Sequence, residues 1–251
     1  MKQTIYETKG RAREYCKLAL NHYSGCSHGC VYCYAPKVTY KNAPEFHNNV
    51  TARLTGEEIA EGASRAEKNG LSGDVLLSFT TDPYQPIDYL MRLTRYAILA
   101  LQSSGFNVVV LTKAGAARRD FDILRAGIDT FATSLTCTTS NDSGEWEPKA
   151  ALPTLRIYNL MEAKKAGLKT WVSCEPVIYP KQTIELIKKS AEYVDHYKIG
   201  TMNYMQHGAT VNWKEFAEKI VTLQPSIGRP FYLKKDLAKY IGKSEGFWVG
   251  L

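Results

Sequence analysis

The chain has no run of about 18 apolar residues, the length a helix needs to cross a bilayer. Its opening, MKQTIYETKGRAREY, has no apolar core of the kind a secretory signal carries. Both absences argue for a cytoplasmic protein with no membrane partner. Cysteine is sparse as well, with six residues at 16, 26, 30, 33, 137 and 174. In a reducing compartment these are not a disulfide framework, and three of them within eight residues suggest a metal site instead. Internal repeats, low-complexity tracts and Pro/Gly/Ser-rich linkers are missing too. Nothing therefore divides the 251 residues, and one domain over 1–251 is expected. What is abundant is positive charge: the formal net charge is +7, which admits a polyanionic partner such as nucleic acid. The lysines and arginines are scattered along the chain, however, and an excess of that size also serves solubility.

Past the cysteine-rich loop, short β-branched runs alternate with longer amphipathic stretches, the pattern of β-α units in a parallel sheet. Strands are predicted at 16–20, 74–80, 107–112, 130–136, 169–174 and 193–199, and helices at 56–69, 88–104, 118–127, 153–167, 181–191 and 212–223. Gly70, Gly105 and Gly167 each stand where a helical pattern stops and a strand begins, as left-handed caps do. About six such units give an α/β fold, a partial (open) parallel β/α barrel. Its core spans about 16–203, and a C-terminal helical extension covers about 204–251. Ligands in such folds gather at the carboxyl ends of the strands. Here those ends read Thr80-Thr81-Asp82, Lys113, Thr136-Cys137, Cys174-Glu175 and Gly200-Thr201.

Cys26, Cys30 and Cys33 have the spacing C-x3-C-x2-C, and Gly25 and Gly29 let the backbone wrap closely round a bound group. Three thiolates suit a [4Fe-4S] cluster with one iron left free. They also suit zinc if His28 or His22 completes a Cys3His set. On these residues alone both readings stand. The second describes a non-catalytic zinc protein that binds nucleic acid through its basic surface.

The wider segment GCSHGCVYCYAP, with Tyr32 just before the third cysteine, resembles the signature of the radical S-adenosylmethionine (SAM) superfamily. Taken with SFTTDPYQP and LTKA, it is similar to the spore photoproduct lyase group within that superfamily. The resemblance runs from about Asn21 to Asn203 and implies a partial barrel, a [4Fe-4S] cluster on Cys26, Cys30 and Cys33, and SAM as a second cofactor. It further implies reductive cleavage of SAM to a 5′-deoxyadenosyl radical that abstracts hydrogen from a substrate, with an electron donor such as flavodoxin or ferredoxin. A nucleic acid or nucleotide substrate is favoured over a peptide. By the same resemblance Tyr32 belongs to the cofactor site, and Thr80, Thr81 and Asp82 lie where the methionine amino group of SAM is held. Lys113 takes the methionine carboxylate, Ser134 and Ser173 hydrogen-bond the cofactor, and Glu175 lies near the ribose. Asp82 reads equally well as a turn former before Pro83.

Cys137 and Cys174, at strand ends, are candidate hydrogen donors to a substrate radical. The lyase of the resembled group carries its donor cysteine just ahead of a strand-end Ser-Asp-Pro, where this chain has Phe79 or Thr80, so thymine-dimer repair is not expected. No cysteine occurs in 175–251, which argues against a second cluster. The acidic, hairpin-like segment 141–148 is expected to be a loop or a lid. In the tail, Tyr232, Lys234, Lys235, Lys239, Tyr240 and Trp248 offer basic and aromatic groups to phosphate and base. A solvated helix covering the barrel's open edge is the favoured account of them.

Overall fold

Every predicted β-branched run becomes a strand. In the computed structural model, which describes residues 4–203 and 205–251, the strands are β1 (Ile5–Glu7), β2 (Leu18–Leu20), β3 (Tyr23–Ser24), β4 (Thr51–Ala52), β5 (Asp74–Leu77), β6 (Asn107–Thr112), β7 (Thr130–Ser134), β8 (Lys169–Cys174), β9 (His196–Ile199), β10 (Phe231–Leu233) and β11 (Phe247–Val249). β3 and β4 form a small ladder of their own; the rest make one sheet in the order β1-β2-β5-β6-β7-β8-β9-β10-β11. From β2 to β10 all neighbours are parallel, and β1 and β11 add antiparallel edges. Parallel neighbours follow one another in sequence, so every crossover moves the same way. Right-handed crossovers then place the connecting helices on one face, and the twisted sheet curls away from them as a partial barrel.

The helices are α1 (Ala35–Val38), α2 (Ala43–Asn48), α3 (Gly56–Lys68), α4 (Ile87–Met91), α5 (Leu93–Ser103), α6 (Ser140–Trp146), α7 (Pro153–Lys165), α8 (Pro180–Ser190), α9 (Trp213–Ile227) and α10 (Lys235–Ala238). Local chemistry sets their limits. Thr55 and Glu58 form a reciprocal capping box at the start of α3, a device worth about 1 kcal/mol, and Gly70 follows its end at φ +80°. Ile59, Ala63 and Ala66 then share the buried face at helical spacing. No helix among the described residues is long and apolar enough to cross a membrane.

Strand parity sorts the core into two layers. Val75, Leu77, Val108, Val110, Phe131, Val172 and Cys174 belong to the large cluster under the helices. Their alternates Ala19, Leu76, Val109, Ala132 and Trp171 form the concave interior, with Tyr15, Phe79 and Leu111 against them. A parallel sheet buried on both faces needs apolar side chains at both parities.

The structure departs from the sequence pattern in several places. The expected helix 118–127 is only a short turn at Ala116–Asp120, because Asp120 and Asp122 turn their carboxylates to Arg95 and Arg125 folds onto Asp129. The helix expected over 88–104 breaks at Arg92, which takes φ +53°, while the Asp88 carboxylate accepts the Thr94 amide at 2.9 Å. The segment 141–148 is no hairpin. Thr139 caps α6 by accepting the Asp142 amide, and the helix packs behind the cysteine loop. Nor is the C-terminal extension purely helical, since β10 supplies a seventh parallel strand and β11 the antiparallel edge.

Among the described residues no strand pairing joins the two edges of the sheet. Side chains bridge the seam instead. The Glu14 carboxylate accepts from the Tyr232 hydroxyl (3.2 Å) and the Lys235 amide (2.7 Å). Lys198 Nζ donates to the carbonyls of Glu14 and Tyr15 at 2.8 Å each, and Arg11 reaches Asp236.

Candidate active site

The three cysteines sit on the loop between β3 and α1, and that loop is fastened on all sides. Gly25 has φ +80°, and a Cβ there would come within 2.7 Å of the Phe46 carbonyl. A side chain at this position is therefore excluded both by conformation and by space. That same carbonyl accepts the Cys26 amide at 3.2 Å. Gln85 straddles the turn, accepting from the Ser27 amide and donating to the Gly25 carbonyl at 3.0 Å each. On the far side the Val31 amide donates to Trp146 O (2.9 Å) and the Lys149 amide to His28 O (3.1 Å).

All three thiols line one cavity of about 470 Å³ at the carboxyl ends of the parallel strands. Tyr32, Thr80, Thr81, Asp82, Lys113, Ser134, Ser173 and Glu175 line it with them. Burial pushes the thiols up, Cys30 to about 12 and Cys26 and Cys33 also upward. They would be protonated until a bound metal displaced the protons, as thiolate sites require. Thr81 Oγ1 is buried in the wall without a hydrogen-bond partner. Soft thiols and an orphaned hydroxyl fit an iron-sulfur cluster and a polar cofactor. They lend no support to the zinc set. His28 Nδ1 faces Asp82 Oδ2 at 3.6 Å, and His22, whose Nε2 pairs with Thr94 Oγ1 at 2.9 Å, does not line the cavity with the thiols. Among the described residues no three His, Cys, Asp or Glu side chains gather round one point as a single ion requires.

Lys113 stands apart from its neighbours at the cavity wall. Its ammonium lies 5.6 Å from the Tyr32 ring centroid, and among the described residues it makes no hydrogen bond or close ion pair. Burial opposes its charge, but charge on Cys30 when ionised, and on Glu147, holds its pKa above the usual lysine value. It is a cation aimed into the cavity without a direct anionic partner.

Asp82 is differently occupied than the resemblance implied. Oδ1 accepts from the Tyr84 amide (2.9 Å) and the Thr112 hydroxyl (2.7 Å), and Oδ2 from the Lys113 amide (2.7 Å). The carboxylate thus forms the turn and ties it to the end of β6. Glu175 likewise lines the cavity with both oxygens engaged, by Arg11 at 2.8 Å, Lys234 at 2.5 Å and the Tyr15 hydroxyl. Ser173 Oγ shares that Tyr15 hydroxyl at 2.8 Å, and the Phe79 amide is held by Asn21 Oδ1 at 2.8 Å.

Cys137 and Cys174 are not brought to the cavity. Both are fully buried in the cluster beneath the helices, where burial pushes each thiol to about 12. Parity is the reason for Cys174: it lies on the side of Val172, whereas Trp171, Ser173 and Glu175 face inward. Most of the tail's cations are paired as well. Lys234 is buried against Glu175, Lys235 meets Glu245 at 2.6 Å, and Lys239 lies 5.0 Å from the Tyr240 ring.

Sequence reasoning missed Arg11, Tyr15, Glu147 and Arg156. For Arg156 a signal existed: it shares the buried face of α7 with Asn159, Leu160 and Ala163, so a charge stands where the period demands an apolar residue.

Fold and site together define an open β/α-barrel protein with a three-thiol loop at the carboxyl ends of its strands. The chain belongs to the Radical SAM superfamily, which residues 20–194 match. Among curated proteins it is similar to the uncharacterized protein ORF301 of Acidianus two-tailed virus, 26% identical over 185 residues, covering 70% of this chain and 61% of that protein. It is also similar to the uncharacterized protein MJ0683 of Methanocaldococcus jannaschii, 22% identical over 191 residues, covering 74% and 71%. Among solved structures it resembles spore photoproduct lyase complexed with dinucleoside spore photoproduct, with TM-score 0.64 and 16% identity, covering 80% of this chain and 61% of that one. Streptococcus suis SuiB bound to S-adenosylmethionine gives TM-score 0.65 and 14% identity, covering 86% and 49%. The chain therefore spans about three fifths of ORF301 and of the lyase, and about half of SuiB.

Proposed function

We propose that the chain is a radical SAM enzyme that holds a [4Fe-4S] cluster on Cys26, Cys30 and Cys33 and binds SAM in the same cavity. The observation that carries this reading is the convergence of three thiols and a lysine without a direct anionic partner on one cavity at the strand ends. Cluster and SAM together would supply a 5′-deoxyadenosyl radical by one-electron reductive cleavage. The protein's share is positioning. Lys113 receives the carboxylate of the methionine part, and the free Thr81 hydroxyl offers a hydrogen bond beside it. Asp82 orients both through the Lys113 amide and the adjoining turn. Ser134 and Ser173, on the inward parity of β7 and β8, line the path toward the interior.

The substrate class we favour is a nucleotide or nucleic acid. Exposed Lys9 and the partly exposed ring of Tyr34 stand at the cavity, a cationic and an aromatic group that suit phosphate and base, whereas Arg11 is held by Glu175 and Asp236. The similar lyase structure holds a dinucleoside, whereas another SuiB structure is bound to its precursor peptide SuiA. A one-electron carrier such as flavodoxin or ferredoxin would serve as reductant. The test is anaerobic reconstitution: about four irons and four sulfides per chain are expected, with 5′-deoxyadenosine released on reduction in the presence of SAM. Deuterium transfer between 5′-deoxyadenosine and trial oligonucleotides, nucleotides or peptides then identifies the substrate. One tightly held zinc without sulfide would refute the reading.

A further inference from the structure

The stretch that reads in the sequence as an acidic loop carries the most deeply buried charges near the cysteines. Glu147 and Arg156 both have fully buried side chains and meet at 2.6 Å. Arg156 also donates to Ala151 O (2.7 Å) and to Ser134 O (2.9 Å) at the end of β7. The other oxygen of Glu147 accepts the Tyr32 hydroxyl. Burial works to raise the pKa of Glu147, yet Arg156 and Lys113 hold it below the usual carboxylate value.

Desolvating an ion pair commonly costs as much as its attraction returns. Stability alone therefore does not account for the pair, and its placement is the informative part. Main-chain bonds from the same stretch reach both flanks of Cys30, from Trp146 O to the Val31 amide and from the Lys149 amide to His28 O. A third runs from the Ala151 amide to Lys113 O at 2.9 Å. Residues 146–151 thus clasp the thiol loop and the cofactor-facing lysine at once. The Glu147 carboxylate, gripped by Arg156 on one side and Tyr32 on the other, fixes the clasp in register.

We infer that Glu147 is a positioning residue for the iron-sulfur site, holding the Cys30–Cys33 turn through Tyr32 and balancing the charges of Lys113 and Arg156 beside it. The inference rests on the cluster reading above. Outer contacts of this kind usually change metal affinity about tenfold to a hundredfold when removed.

The experiment compares anaerobically reconstituted wild type, Tyr32→Phe and Glu147→Gln. Two quantities are read: the rate of cluster loss to an iron chelator well below the melting temperature, and the reduction potential of the cluster. Loss is expected to be about tenfold faster or more in both variants. The potential should rise in Glu147→Gln, because removing a nearby negative charge favours the reduced state. The melting temperature of metal-free Tyr32→Phe should fall only modestly, since one Glu147 oxygen loses its donor while the ion pair with Arg156 is kept. A purely structural role would lower melting temperatures and leave loss rate and potential unchanged, which would overturn the inference. Tyr32→Phe keeps the ion pair and decides alone if Glu147→Gln does not fold. Wild-type protein that takes up no iron would overturn the cluster reading first. Iron-replete variants with wild-type behaviour overturn this inference only.

Discussion

Replacing Lys113 with alanine should weaken SAM binding about tenfold to a hundredfold without loss of iron. The magnitude follows from the geometry. The ammonium faces the cavity with no carboxylate in direct contact, and its nearest support is the Tyr32 ring at 5.6 Å, an interaction of about 0.5–1 kcal/mol. A ligand carboxylate would therefore meet a cation that is desolvated but not neutralised, and a hydrogen bond between two such charges contributes about 1.5–3 kcal/mol. At about 1.4 kcal/mol per decade this gives the stated range. Although burial opposes the charge, Glu147 helps hold the Lys113 pKa above the ordinary lysine value, so the fold favours the ammonium, and metal-free Lys113→Ala should melt at or slightly below the wild-type temperature. Isothermal titration of cluster-loaded protein with SAM measures the first effect. A SAM analogue lacking the methionine carboxylate supplies the control, because wild type and Lys113→Ala should bind it alike. An unchanged dissociation constant for SAM, or an equal loss for the analogue, would refute the assignment.

Alanine at any one of Cys26, Cys30 or Cys33 should abolish the iron-sulfur absorption and SAM cleavage, measured by iron analysis and chromatography of 5′-deoxyadenosine, because two thiolates do not hold the cube securely. Cys137→Ala and Cys174→Ala should lower stability by about 1 kcal/mol through small cavities while leaving the ratio of products to side products unchanged; a diverted product from either would put a thiol back into the mechanism. Burial lowers the Lys198 pKa to about 8. Between that value and the ordinary lysine value near 10.4 the unfolded chain carries a proton that the folded chain does not, so stability should rise with pH over this window. Urea titrations at pH 7.5 and pH 10 should show wild type gaining stability relative to Lys198→Met, and parallel behaviour of the two would contradict the shift.

The core of the fold was legible because parallel strands buried on both faces announce themselves as continuous β-branched runs. DVLL, NVVVLT and KTWVSC needed no tertiary information. The two C-terminal strands were not legible, since three residues such as Phe231–Leu233 carry too little period to separate a strand from a loop. At the site, spacing and resemblance brought out the thiols and Tyr32, Thr80, Thr81, Asp82, Lys113, Ser134, Ser173 and Glu175, which the fold draws to one cavity. Cys174 was misplaced by treating a strand end as a point rather than as two faces, although its alternation with Ser173 was already in the sequence. Glu147 was hidden for a different reason. Its partner Tyr32 lies far away in sequence, and an acidic residue between Gly144 and Pro148 looks like solvent-facing chain until the sheet is assembled.

The seam bridged by side chains has a bearing on how such a protein can change. The stretch 20–194 that matches the superfamily contains the thiols, Lys113 and the polar strand ends. The opposite wall is built from Lys9, Arg11, Ala12 and Tyr15 before it, and from Thr201, Asn203 and Lys234 after it. Two ends of the chain thus share one surface and are joined there by Arg11, Glu14, Glu175 and Asp236 rather than by a backbone ladder. Remodelling that wall requires matched changes in the two terminal segments and at Glu175 and Ser173, whose side chains hold Arg11, Lys234 and Tyr15. Removing either terminus would open the same flank of the chamber.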